Sequence, residues 1–252
     1  MGSDRDTETV KYFKFDDEKS IQRLFRNIDV VVLCMFVSPK LSTQLQAVLN
    51  AMATVKDRIQ HVIFAAPGGY MAEERQKSPI AEWYLQSEAL VKDSGFNYTV
   101  LRYCKLFNYL LEFTAAFIRS NRAISLPVTN EQKVVFMDIA DLVQCLIVVL
   151  FNTETYRSRV FSLSGPGFVS GPSLAQAIST SIGEEITFVT IDQENTEEFF
   201  ATSNFSPEMA KALSIDWTIE SEGKLTQDVM LLLDQPPKSA SEWADNNAHH
   251  FL

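Results

Sequence analysis

The feature that most constrains this chain is a rhythm. Three apolar runs, DVVVLCMF (29–36), HVIFAAP (61–67) and YTVLRY (98–103), recur with a helical pattern between each pair. Runs that are apolar at nearly every position suit parallel strands covered on both faces. The first connecting segment carries Leu41, Leu45, Val48, Met52 and Val55 on one helical stripe. Parallel neighbours cannot be joined by tight turns and need helical crossovers. The rhythm therefore predicts an α/β fold.

Punctuation supports this reading. Ser38-Pro39 and Ser78-Pro79 each read as an N-cap followed by a first-turn proline, and Gly95 as the residue that ends the second of these helices. Upstream, Val10–Phe15 reads as one more strand, Asp16-Asp17 as an acidic turn, and Ile21, Leu24, Phe25 and Ile28 as one face of a short helix. Downstream the pattern loosens. ISLPV is a short strand, KVVFMDIADLVQCLIVVLF a strand and then a helix capped by Asp138, and EITFVTID another strand. Residues 195–250 read as mostly helical, with Trp217 and Trp243 as packing anchors. We expect a single domain over 1–252, with a core over about 10–150 and a smaller α+β lobe over about 151–252.

The 252 residues carry a formal net charge of -10. Nucleic acid and anionic membranes call for basic surfaces, so neither is an expected direct partner. Residues 1–9 are polar and do not read as a secretory signal, and no apolar run reaches the roughly 18 residues of a membrane span. Cys34, Cys104 and Cys145 lie in apolar runs without metal spacing, which predicts buried, reduced thiols in a cytoplasmic protein.

Five stretches occur in an order that resembles the NmrA-like branch of the atypical short-chain dehydrogenases/reductases. They are FDDEKSIQRLFRNIDVVVLC, HVIFAAP, SEALVKDSGFNYTVLRYCKLFNYLLEF, DIADLVQCL and FSLSGPGFVSGPSLAQAI. The resemblance implies a Rossmann-like parallel sheet with helices on both faces and a small substrate lobe. It also implies NAD(P) binding, with a role as a reductase or as a regulator that binds other proteins. On it, the cofactor-side positions fall on Asp16, Phe36, Ser38, Ala66, Pro67, Tyr103 and Phe107, and the catalytic candidates are Tyr84 and Lys105.

The departures from the pattern are informative. The family's opening strand, Gly-rich turn, helix and second strand have no counterpart, so the sheet is expected to be N-terminally truncated, with 10–15 pairing directly with 29–36 or lying elsewhere. Without that turn, NADP binding is expected to be weak or absent. Where the wider group has a catalytic serine, this chain has Ala65-Ala66-Pro67. Four residues beyond Tyr84 stands Glu88 rather than lysine, and a carboxylate there would raise the phenol's pKa. Lys105 is the cation available to replace the lost lysine. Gly165, Gly167 and Gly171 mimic a dinucleotide fingerprint, but Pro166 and Pro172 favour a tight turn. Asp138 and Asp141 read as a cap and a buried hydrogen bond, and His61 as structural.

Three readings follow. The first is a non-catalytic regulator or scaffold with a degenerate cofactor site, working through protein contacts. The second is an NAD(P)H-dependent oxidoreductase in truncated form. The third is a cofactor-independent isomerase, cyclase or lyase whose pocket would be lined by Phe36, Tyr70, Tyr103, Lys105 and Phe107. An unpaired sheet edge at 29–36 also predicts a homodimer or a rearranged N-terminus.

Overall fold

A computed structural model describes residues 13–68, 78–202, 205–218 and 223–252. In chain order the elements are α1 (Glu18–Gln22), β1 (Val30–Cys34), α2 (Leu41–Ala53), β2 (His61–Pro67), α3 (Pro79–Asp93), β3 (Tyr98–Tyr103), β4 (Lys105–Leu106), α4 (Asn108–Asn121), β5 (Ala123–Leu126), β6 (Lys133–Met137) and α5 (Ile139–Phe151). There follow β7 (Arg159–Leu163), β8 (Phe168–Ser170), α6 (Gly171–Ile182), β9 (Thr187–Thr190), α7 (Thr196–Ala201), α8 (Pro207–Thr218), α9 (Asp228–Leu233) and α10 (Ala240–Asn247).

The main sheet runs β1-β2-β3-β7, all parallel, as the apolar rhythm predicts. One face is covered by α1, α2 and α3, whose Ile21, Leu41, Leu45, Met52 and Tyr84 pack on Val31, Leu33, Val62 and Phe64. The other is covered by α5 and α9, where Leu142, Cys145, Val229 and Leu232 meet Ile63, Leu101 and Phe161. A second core gathers α4, α6, α7, α8 and α10 around two small sheets, β4-β6-β8 and β5-β9, with Trp243 at its centre. β7 belongs to the main sheet, β5 and the Val134 and Phe136 side of β6 belong to the second core, and Leu106 of β4 and Met137 of β6 pack with Ile63, Leu101 and Phe161 of the main sheet. Strand pairing joins segments by register rather than by chain order.

Several local expectations change. Residues 10–12 of the expected first strand lie outside the described residues, and 13–15 form no strand. Phe13 and Lys14 are irregular, and Phe15 and Asp16 sit in an exposed turn. Asp17 instead caps α1, its carboxylate accepting from the Ser20 amide. Among the described residues β1 pairs with β2 alone. Val31 and Leu33 on one face are buried, while on the other Val30 packs against the α5 and α9 core, Val32 is 37% exposed and Cys34 is exposed. The flank of α5 that carries Ile139, Val143, Ile147 and Phe151 is likewise exposed.

The opposite edge is closed. Asp228 Oδ2 accepts from the Ser162 amide at 2.6 Å, the Thr226 hydroxyl donates to the Ser162 carbonyl, and the Thr226 amide donates to Ser164 Oγ at 2.9 Å. This segment satisfies the β7 edge as a neighbouring strand would. Helix α2 begins at Leu41 with Lys40 as its N-cap, so Ser38 does not cap it. Ser78 has N-cap geometry at α3, but its hydroxyl is drawn to Asp216 instead of a helix amide. Gly95 follows the C-cap with φ +75, as expected of the terminating glycine.

Candidate functional site

The carboxyl ends of β1, β2 and β3 open into a cleft of about 420 Å³. This is the end at which open α/β sheets hold ligands. Cys34, Pro67 and Tyr103 form the sheet side, and Tyr84 enters from α3. Tyr109 and Glu112 come from α4, while Leu213, Asp216 and Trp217 of α8 form a roof.

The roof is pinned by one carboxylate. Asp216 Oδ2 lies 2.9 Å from Lys105 Nζ, and Asp216 Oδ1 accepts from Ser78 Oγ at 3.1 Å. The same ammonium stands 4.2 Å from the centre of the Trp217 ring. Both partners of the ion pair are largely out of water, with side chains 13% and 8% exposed.

Three phenols line the interior. Tyr84 donates to the Met35 carbonyl at 3.4 Å, and Tyr103 donates to Tyr109. Burial, reinforced by the neighbouring phenols, holds Tyr84 and Tyr103 far above the ordinary tyrosine range, and burial raises Tyr109 as well. All three are therefore neutral hydrogen-bonding groups at physiological pH. Burial likewise pushes the Cys104 thiol up to about 12, so it does not serve as a thiolate. Burial raises Cys34 too, although that residue is exposed at its outer side rather than buried as expected.

Glu88 does not govern Tyr84. Its carboxylate is held by Arg102 Nε at 2.8 Å, by a second Arg102 nitrogen at 2.5 Å and by Lys92 Nζ at 2.5 Å. Burial raises its pKa, the two cations outweigh burial, and the group stays below its usual range.

Of the positions singled out from sequence, Phe36, Pro67, Tyr84, Tyr103 and Lys105 line the cleft. Phe36 sits at its mouth, 94% exposed. The others go elsewhere. Ala66 is buried within β2, outside the lining. Phe107 is buried between the rings of Phe136 and Trp243, with centroids 5.2 and 4.9 Å away, and fills the second core. Ser38 Oγ is buried without a hydrogen-bond partner and does not line the cleft. Asp16 lies in an exposed turn, and Tyr70 lies outside the described residues. Sequence reasoning missed Glu112, Asp216 and Trp217. Asp216 is 111 positions from Lys105, and no local pattern links them.

The remaining candidates resolve as structure. Asp138 Oδ1 accepts from the Ala140 amide, capping α5, and Asp141 accepts from Lys238 Nζ at 2.8 Å. Thr99 Oγ1 donates to the Tyr156 carbonyl, so the His61 Nε2–H that meets it at 2.8 Å is the donor. His61 Nδ1 is then a bare, buried acceptor. No metal-binding cluster of His, Cys, Asp or Glu occurs among the described residues, and none of their helices is long and apolar enough to cross a membrane.

A dinucleotide needs a turn whose amides can approach a pyrophosphate. The β1–α2 connection contains no glycine. The Gly165–Gly171 turn does not fit either. A Cβ at Gly165 would stand 1.9 Å from the Phe136 carbonyl oxygen, and one at Gly171 would meet the Phe188 ring. Ser170 and Ser173 close a capping box over the start of α6. Gly165 and Gly171 serve packing.

The sequence profile of the NmrA-like family matches residues 5–229. This chain belongs to the NmrA-like family. It is 22% identical over 221 residues to the NAD(P)H azoreductase of Xenophilus azovorans, a match covering 85% of this chain and 75% of that protein. The fold is similar to that of an NADPH-dependent quinone oxidoreductase of Escherichia coli, with TM-score 0.76 and 15% identity over 93% of this chain and 81% of that one. It is also similar to the triphenylmethane reductase of Citrobacter sp., with TM-score 0.75 and 16% identity over 94% and 81%. These likenesses extend the NmrA-like chain's α/β architecture to a set of Rossmann-like reductases.

Proposed function

We propose that this NmrA-like protein is of the NAD(P)H-dependent oxidoreductase type, and that its cleft holds a flat, largely apolar small molecule. The observation that carries the reading is the tyrosine-lined cavity at the carboxyl ends of β1, β2 and β3. Its aromatic walls supply area for a planar ligand, and its neutral phenols supply hydrogen bonds without charge. The azoreductase and quinone oxidoreductase among its relatives support the redox class.

A second reading, a non-catalytic regulator acting through protein contacts, is favoured by two observations. β2 ends in Ala65-Ala66-Pro67 with no hydroxyl, and the β1–α2 connection has no glycine turn. One experiment separates the two. Purified protein is titrated with NADPH by calorimetry and then assayed for NADPH-dependent reduction of a quinone and an azo dye. Turnover above the protein-free blank supports the oxidoreductase. Acceptor binding without cofactor heat or turnover leaves the regulator.

A further inference from the structure

We infer that a second cavity, built from α4 and α7, receives an arginine side chain presented by a partner polypeptide. This cavity shares no lining residue with the cleft and stands apart from either reading of it. It is an open groove of about 540 Å³. Thr114 and Phe117, about one turn apart, come to it from α4. Glu198 and Phe199 come from α7, Thr202 from the C-cap of that helix, and Ser125 from β5. The two phenyl rings supply π-faces: Phe117 is 42% exposed, and Phe199 is braced edge-on against Phe200 at 5.1 Å.

The polar lining accepts more than it donates. Thr114 Oγ1 gives its proton to the Leu110 carbonyl at 2.5 Å, and Thr202 Oγ1 gives its own to the Phe199 carbonyl at 2.8 Å. Each hydroxyl then has only lone pairs left for a ligand. Glu198 adds a carboxylate, which makes no salt bridge among the described residues. The described lining holds no Lys, Arg or His. Asp192 and Glu194, in the turn before α7, extend the negative charge.

A planar cation that only donates answers this set. Guanidinium carries five N–H donors and no acceptor, stacks on aromatic faces, and is more weakly hydrated than an ammonium. A neutral polyol or amide would bring acceptors that find few donors, and an anion would meet Glu198 with no cation in the described lining to offset it. An exposed carboxylate alone holds a cation weakly, so the rings are what give the groove selectivity. An open groove also leaves one end of its ligand in solvent, as a side chain carried on another chain requires. The arginine stem covers apolar surface while its head meets the acceptors.

The test uses three capped peptides of glycine and serine that differ only in carrying a pair of arginines, lysines or citrullines. Binding to the full chain is measured by calorimetry at neutral pH and low salt. The arginine peptide should bind about tenfold more tightly than its neutral citrulline counterpart, with the lysine peptide between them. Glu198→Gln and Phe117→Ala should each remove most of that advantage. Glu185→Gln removes the same charge from an exposed position ahead of β9 and should leave the advantage within about twofold of wild type. Equal affinities for arginine and citrulline, or no binding by any peptide, would overturn the inference. A lysine peptide as tight as the arginine one would do so too, since no planar cation would then be read. Equal losses from Glu198→Gln and Glu185→Gln would leave only general attraction to an acidic chain, and an advantage that survives both groove variants would put the contact elsewhere; either result overturns it. None of these outcomes bears on the cleft, so the two sites fail separately.

Discussion

Lys105 Nζ and Asp216 Oδ2 meet at 2.9 Å across the cleft, joining the short β4 strand to the roof helix α8. This contact makes a cavity out of a sheet end and a separate helix. Breaking it should therefore be felt in both stability and binding. Removing one partner of a largely buried pair costs about 3 kcal/mol, or roughly 6–12 °C of melting temperature for a chain of this size. Asp216→Asn should show that loss in thermal denaturation. The double change Lys105→Met with Asp216→Leu should recover most of it.

Tyr84 serves as a wall of the cleft. Its hydroxyl donates to a carbonyl at 3.4 Å, and burial holds it protonated. Tyr84→Phe should keep any turnover within roughly threefold of wild type, whereas loss of a true proton donor costs about a hundredfold or more. Steady-state kinetics with the quinone acceptor checks this.

His61 makes stability pH-dependent. Burial, helped by Arg157, holds its pKa below the ordinary 6.5, against the smaller pull of Glu154. The unfolded chain therefore takes up a proton that the folded chain refuses. Stability should fall as pH drops below the ordinary histidine value, and level off once the folded pKa is passed. Melting temperatures across that window should slope less in His61→Gln than in the wild type.

Glu88 acts at lower pH. Its folded pKa is depressed because Arg102 and Lys92 outweigh burial, so its stabilising effect is present above the ordinary carboxylate value and lost as pH falls through the folded one. Glu88→Gln should destabilise at neutral pH and narrow its gap to wild type under strong acid.

The edge of β1 that no described residue pairs and the exposed flank of α5 predict self-association. Val32, Val143, Ile147 and Phe151 present apolar surface beside an edge that no described residue pairs. Light scattering should show mass rising with protein concentration, and Phe151→Lys with Val143→Lys should suppress the rise. A monomer at all concentrations would remove the expectation of a homodimer.

The parallel sheet was legible because its cause is local. Val30–Cys34, His61–Pro67 and Tyr98–Tyr103 are apolar runs whose crossovers keep helical spacing, and Asp138 and Gly95 mark helix ends through their own backbone chemistry. Part of the site was legible for the same reason: Tyr103 and Lys105 sit at the end of β3, where such sheets bind ligands, whereas Tyr84, on α3, was placed by the family resemblance. Phe107 misled because an apolar ring beside a strand end can turn either way, and here it is taken up by Phe136 and Trp243. By itself the sequence determined the three apolar strands of the main sheet and the helices that cross between them, but not that residues 13–15 form no strand. Only tertiary structure decided that α8 roofs the cleft, that Glu112 faces it, and that Val32 and Cys34 of β1 stay exposed. Those outcomes depend on contacts between residues more than a hundred positions apart, or on what packs against a strand, and neither leaves a periodicity to read.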